Sequence, residues 1–478
     1  MRSILKNLLL GLACLVVSTA LSANEIEVAT LADLARVASE SDRQIRLKPG
    51  VYHMADYLTA PVLAEIRAGI DRTQKRPPVP MLLLRGDRNR IDARDAVIEI
   101  DTALYKKLPG GYTRCIIVAG ADNTLVGLSI RNTGPDDGSG GNTLSLAGAR
   151  TTLEDVTLHV HGSFPHGYGD LLGKGGPNLV SIRKQSGIQV LGSGSVLRRC
   201  RVYSRAFGHC FYIQGGDNIR LEDCYAEGSM RATSEMLSDT AGPAFDLGFK
   251  SVYANRDGRH VITPGYVKSL SEDGFRTYGN AGQVTLLNCT AINTRAGFEI
   301  GAPDNAPKKA LLENCVALGC ERGFLIGSQT VVRRSRGDIA HGPLLYLRGG
   351  RDSDVELELA GAGPQSLVHA IATIAGENHH VRLSVQHGEH AIPALPIYFG
   401  FGMPEHAEMS SPILPAPTRG VTLSNEIASA QVITSDTLIE SKFETAGRTF
   451  SDAVLQASPG SWGLPASGIA PGAATSKK

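Results

Sequence analysis

Residues 274–301 read GFRTYGNAGQVTLLNCTAINTRAGFEIG, a segment that opens and closes on the same phrase. The phrase recurs with different residues at its variable positions: GIQVLG from Gly187, CFYIQG from Cys210, GFRTYG from Gly274, GFEIG from Gly297 and GFLIG from Gly323. Most copies are followed by a second short strand ending in cysteine: LRRC at Cys200, LEDC at Cys224, LLNC at Cys289 and LENC at Cys315. The steps between copies are 23, 64, 23 and 26 residues. The long step equals one ordinary coil plus about 40 inserted residues. Short alternating strands at this period, with no helical pattern, predict an all-β solenoid whose coils stack in register.

The rest of the chain agrees with one long repetitive domain. Coils are readable from MLLLRGDRNRIDA (81–93) through RCIIVAGADNTLVGLSI (114–130) to HAIATIAGENHHVRLSV (369–385), each two strands around a Gly/Asn/Asp corner. The 54 glycines and single tryptophan suit a chain of many tight turns. Residues 24–60 read as an N-terminal cap, with a short helix near Leu31–Ser39 and then IRLKPGVYHM as strand, turn and strand. Residues 61–390 are the solenoid, 391–456 further coils or a C-terminal cap, and 457–478 a low-complexity, disordered tail.

Met1 to Ala23 carries Arg2 and Lys6, an apolar stretch from Leu8 to Val17 and a small-residue end, as a secretory signal peptide does. The mature protein is therefore expected in the periplasm or secreted, with no membrane insertion. A net charge of +1 with well-mixed signs leaves no overall footprint for nucleic acid. Of the eight cysteines, Cys14 lies in the leader. Cys200, Cys224, Cys289 and Cys315 hold one repeat position and are expected as an interior ladder of thiols. No CxxC or His-x-x-x-His spacing points to zinc. The residue before each ladder cysteine (Arg199, Asp223, Asn288, Asn314) forms a polar corner row.

Aligning the glycine column predicts an outward row of Gln189, Tyr212, Arg276, Glu299 and Leu325. Three residues earlier runs a second row, Ser186, His209, Asp273, Ala296 and Arg322. With coils about 4.8 Å apart, Arg276 lies between Tyr212 and Glu299, and His209 beside Asp273. Lys184, Arg205, Glu272 and Arg295 precede these strands. Two long insertions, 159–184 and 229–270, flank the same face and supply His161, His166, Asp170, Lys174 and Lys250. Read as ordinary surface groups, Arg276 and Glu299 would form a weak exposed ion pair.

The set matches the needs of β-elimination or C5 epimerisation on a uronate polymer. A cation must neutralise the C6 carboxylate, a base must remove the C5 proton, and an acid must serve the leaving oxygen. Arg276 or Lys184 can neutralise, His209 or a lysine can act as base, and Tyr212 can donate. Arg205, Lys250, Arg295 and His166 are candidate substrate-binding residues. A Ca²⁺ held by Asp273 and Glu299 is an alternative neutraliser.

The cap, period and asymmetric insertions resemble the secreted bacterial right-handed parallel β-helix proteins of the pectate lyase type over about residues 40–390. That group includes alginate and chondroitin lyases, C5-epimerases and pectin-cleaving hydrolases. The resemblance implies a right-handed parallel β-helix acting on an acidic polysaccharide or oligosaccharide. It makes Lys184 or Lys250, with Arg276, the nearest counterparts of the lyases' catalytic Lys and Arg. Gly208-His209-Cys210 echoes the hydrolases' Gly-His-Gly strand, but their Asn-Thr-Asp and Asp-Asp partners are missing. Hydrolysis remains an alternative, because Asp273 and Glu299 would sit about 7–10 Å apart, within reach of an inverting pair. A non-catalytic carbohydrate-binding β-helix is the other; it would favour exposed aromatic platforms, and aromatics are 5% of the chain.

Overall fold

In a computed structural model, residues 25–74, 77–108, 112–137, 140–301, 309–362, 366–386, 392–403, 409–445, 448–451 and 461–462 are described. The expected leader and Cys14 lie outside these residues, as does most of the tail. The chain winds as a parallel β-helix with three strands to a coil. One coil runs Gln185–Val190, Val196–Arg198 and Arg201–Ser204; the next runs Phe211–Ile213, Ile219–Glu222 and Tyr225–Glu227. The first strand of every coil adds to one long sheet, in register Ile188, Phe211, Phe275, Phe298, Phe324, Leu345 and Ala372. The other two faces run alongside and merge where Thr330–Gly337 pairs with both Lys309–Glu313 and Val316–Leu318. Phe211 pairs directly with Phe275, so the 64-residue step is one coil plus an insertion.

The repeated phrase is legible in this geometry. Its phenylalanines stack inside, with Phe211, Phe275, Phe298 and Phe324 rings 4.9 to 5.0 Å apart and nearly parallel. Its glycines are forced by close approach of successive coils. A Cβ at Gly274 would come within 2.8 Å of the Gly297 carbonyl, and one at Gly297 within 2.6 Å of that of Gly323. Cys200, Cys224, Cys289 and Cys315 are free and buried, with thiols directed at carbonyls of the preceding coil. The residues before them turn the corner in the left-handed region, with φ between +52° and +54°. That conformation costs a side-chain-bearing residue about 1–2 kcal/mol. Here a ladder offsets it: Arg199 is bidentate to Asp155, Asn288 donates to Asp223, and Asn314 donates to Asn288.

At the N-terminal end Leu31–Val37 is helical, capped by Thr30, whose Oγ1 accepts from Asp33 N. A further helix, Ala60–Ala68, occupies the point where the first coil was expected, and the long sheet begins at Pro78–Leu84. Towards the C-terminus the stacking continues through Pro396–Phe399 and Gln431–Thr434 and ends on antiparallel pairs. One of these brings Trp462, from the segment expected as tail, opposite Val432. No helix among the described residues is long and apolar enough to cross a membrane.

Candidate active site

The predicted row is in register as read, with Gln189, Tyr212, Arg276, Glu299 and Leu325 on successive strands, continued by Tyr346. This outward row is nevertheless buried, each member being at most 8% exposed. The cover comes from the two insertions, which pack on each other through their own apolar cluster of Tyr168, Leu171, Leu172, Met236, Tyr253 and Ile262. The second insertion stands on an antiparallel ribbon, Met230–Ala232 with Val267–Ser269. At its foot Tyr266 packs with Leu325, Tyr346, Met403 and Met409. The sheet face is therefore the floor of an enclosed site.

Beneath this cover the charges form a dense network. Arg276 Nη1 donates to Asp273 Oδ2 at 2.9 Å and to Glu299 Oε2 at 2.7 Å. Arg295 Nη2 donates to Asp273 Oδ1 at 2.9 Å, and its Nη1 reaches Asp170 Oδ2 at 3.4 Å. Lys184 Nζ donates to Glu272 Oε1 at 2.7 Å. Lys268 Nζ lies 2.6 Å from Glu321 and 3.1 Å from Asp170. His209 Nδ1 is 3.1 Å from Asp273, and its Nε2 is 2.9 Å from the Tyr278 hydroxyl. Counting Lys174, Lys184, Lys268, Arg276, Arg295 and Arg322 against Asp170, Glu272, Asp273, Glu299 and Glu321 leaves one cation in excess, before His209 is considered. An enclosed site with that balance favours an anionic ligand.

Three groups of the site have chemistry to spare. The Nε edge of Arg276 is buried, and neither Nε nor Nη2 has an acceptor among the described residues. That edge is the one a carboxylate engages in bidentate fashion. Tyr278, two residues on, lies under the same guanidinium, 4.6 Å from ring centre to Cζ. Burial holds its phenol well above the usual value. Lys174, from the first insertion, interacts with Arg295, Glu299, Asp273 and Arg276. Burial, with Arg295 beside it, brings its amine down to about 8.

The remaining predicted residues fall in several places. Lys184 is 30% exposed, rests on the Phe207 ring and is paired with Glu272. Burial pushes the Glu272 carboxyl up, but His209, Lys184 and Arg295 prevail and hold it at about 2. Arg205 and His166 meet at the rim around Asp136, at 3.2 and 3.9 Å. Lys250 is exposed on the outer part of the second insertion, bridged through its backbone to Val261, and makes no ion pair among the described residues. Arg295 is 2% exposed and belongs to the supporting network, so its expected contact with substrate is replaced by contacts with four carboxylates.

Asp273 and Glu299 share one guanidinium nitrogen, which brings those two oxygens within about 5.6 Å of each other. Ca²⁺ takes six to eight oxygen ligands, whereas an arginine stands between these carboxylates. No group of three or more His, Cys, Asp or Glu suited to a metal occurs among the described residues. The pair does not fit a calcium ion. The same arginine fills the space an inverting hydrolase keeps for water and sugar.

Sequence reasoning left Tyr278, Lys268 and Glu321 out of the constellation. Tyr278 carried a usable signal, since it is two residues from Arg276 on an alternating strand and shares its face. Lys268 sits on the insertion ribbon, where no repeat predicts its neighbours.

The chain matches no family model and no curated protein. Among solved structures it is similar to a PL6 alginate lyase in complex with a trisaccharide, at 11% identity over 90% of this chain and 87% of that one, with a TM-score of 0.46. It is similar to a tailspike protein mutant of E. coli bacteriophage HK620 in complex with a hexasaccharide, at 10% identity over 84% and 68%, TM-score 0.45. It is also similar to the A-module of an Azotobacter vinelandii mannuronan C-5 epimerase, at 13% identity over 86% and 87%, TM-score 0.39. By the register of its own strands, this chain is a parallel β-helix protein with a covered, charge-rich site on the sheet built from the first strand of each coil.

Proposed function

We propose that this protein is an exported polysaccharide lyase or C5-epimerase acting on a uronate-containing polymer. The observation that carries the reading is the open Nε edge of Arg276, flanked by an amine pulled down and a phenol pushed up. A buried charged donor without an acceptor is costly, on the order of 1–3 kcal/mol or more, and a substrate carboxylate at this edge would remove that cost. Neutralised there, the uronate becomes a stronger carbon acid at C5. Lys174, poised near neutral pH, takes the C5 proton as base. Tyr278 stays protonated and donates to the leaving oxygen, with His209 and Asp273 behind it to orient the hydroxyl and return the proton. Tyr212, beside Arg276 in the row, borders the same sugar. Lys184, Arg205 and His166 line the approach. The apolar N-terminal segment supports export.

Elimination breaks the C5–H and C4–O bonds and leaves a C4=C5 double bond; epimerisation breaks only C5–H and re-forms it on the opposite face. One experiment covers both. The protein is incubated in D₂O with alginate, pectate and glycosaminoglycan polymers, and C5 deuterium and unsaturated ends are followed by NMR. Unsaturated ends identify a lyase, and C5 deuterium with inverted configuration identifies an epimerase. Neither signal, with reducing ends appearing instead, overturns both in favour of hydrolysis.

A further inference from the structure

Three coils beyond Arg276, the same sheet carries a separate cleft of about 540 Å³. Its floor is the C-terminal half of the strand Leu345–Arg351, with Arg348, Gly349, Gly350 and Arg351, and one wall is Met403. Met403 is fixed in place, since its carbonyl accepts from the Tyr346 hydroxyl at 2.7 Å. The Arg348 guanidinium makes no hydrogen bond or ion pair among the described residues. Arg351 is only loosely held, 3.9 Å from Asp352, and among the described residues Glu377 is the one carboxylate lining the cleft. Gly349 has φ +72°, and a Cβ there would meet nothing within 4 Å, so the backbone itself is open to close approach.

The register ties this cleft to the central site. Arg276, Glu299, Leu325 and Tyr346 are successive row members, so the positions two residues on, Tyr278, Gly301, Gly327 and Arg348, form the next row. Between Tyr278 and Arg348 this row holds two glycines, Gly301 and Gly327. Three coil steps are about 14 Å at the strand spacing, several sugar residues along a polymer.

We infer that this cleft is a distal carboxylate-binding subsite, in which Arg348 and Arg351 hold an acidic sugar several residues away from the one at Arg276. The inference rests on the central site's acting on an acidic polysaccharide. It makes the protein a binder of long acidic chains in preference to short ones, because only a long chain reaches both arginine sites at once.

The test measures the affinity of alginate and galacturonate dimers and hexamers by calorimetry, using the full chain with Lys174→Met to hold turnover off. The hexamer is expected to bind more tightly than the dimer, and Arg348→Gln to remove at least about tenfold of that affinity, the worth of one charged hydrogen bond. The dimer is expected to be unaffected, and Arg351→Gln to act in the same direction. Hexamer binding unchanged in both variants but lost in Arg276→Gln overturns the subsite and leaves the central reading standing. Hexamer binding lost in Arg348→Gln but indifferent to Arg276→Gln upholds the cleft and removes the central reading. No binding of any uronate oligomer overturns both.

Discussion

Lys268 Nζ lies 2.6 Å from Glu321 Oε2 in a contact from which water is excluded, both side chains being at most 1% exposed. The same carboxylate accepts from Ser269 N at 2.7 Å, and Lys268 is also 3.1 Å from Asp170. One lysine therefore ties the first insertion, the second insertion and the solenoid together. Removing one partner of such a pair leaves a buried charge uncompensated and costs about 3–5 kcal/mol. Glu321→Gln is expected to destabilise the protein by about that amount in urea unfolding. Lys268→Met combined with Glu321→Leu is expected to recover most of it, since an apolar pair of similar volume carries no desolvation penalty. If Glu321→Gln unfolds like wild type, the lysine is not the anchor.

Acid is expected to loosen the site in a defined window. Glu272 is held down from 4.5 to about 2, and Asp170 and Asp273 are also lowered, all against burial and by neighbouring cations. A carboxylate with a depressed folded-state value contributes stability above its unfolded value and loses it as pH falls towards the folded one. For Glu272 that window runs from about pH 4.5 down to about 2, and it alone accounts for about 2 kcal/mol between pH 7 and pH 3. Unfolding free energies measured across this range should fall, and Glu272→Gln should flatten the slope.

How much of this was legible follows from which residues carry a repeat. The row from Gln189 to Leu325 could be read because glycine and phenylalanine columns fix the register on both sides of it. The burial of that row could not. Its cover is built by residues such as Leu171, Tyr253 and Met409, which lie outside the period and meet only in three dimensions. Arg276 and Glu299 were thus readable as neighbours but not as an enclosed pair, and Arg295 not as a hub. Tyr278 was within reach of alternation alone. Lys174 was visible as a loop lysine, but its altered amine depends on Arg295, 121 positions away in sequence.

The phenylalanine stack predicts where the solenoid is least tolerant. Phe298 is fully buried between Phe275 and Phe324, both about 5.0 Å away. Truncation opens a cavity that neighbouring coils, held by their ladders, cannot close. Phe298→Ala is expected to cost about 3–5 kcal/mol, and Phe298→Leu clearly less. Chemical denaturation of both variants checks the order.

Lys174 separates function from stability in opposite directions. Its amine is brought from 10.5 to about 8 by burial and by Arg295. A base with a lowered folded-state value destabilises the fold while it is protonated in both states, and stability rises as pH climbs from about 8 towards 10.5. Below pH 8 the charged lysine is therefore a burden, and Lys174→Met should raise stability at pH 7 by on the order of 1 kcal/mol. The same change should abolish turnover of a uronate polymer, since the base is gone, and Lys174→Arg should not restore it because guanidinium does not release its proton. In the wild type, kcat/KM should rise with pH through about 8 as the amine loses its proton. A more stable but inactive Lys174→Met, together with that rise, identifies the lysine as the base. Retained activity in Lys174→Met would move the role to His209, whose Nε2 then has to leave Tyr278 for the sugar.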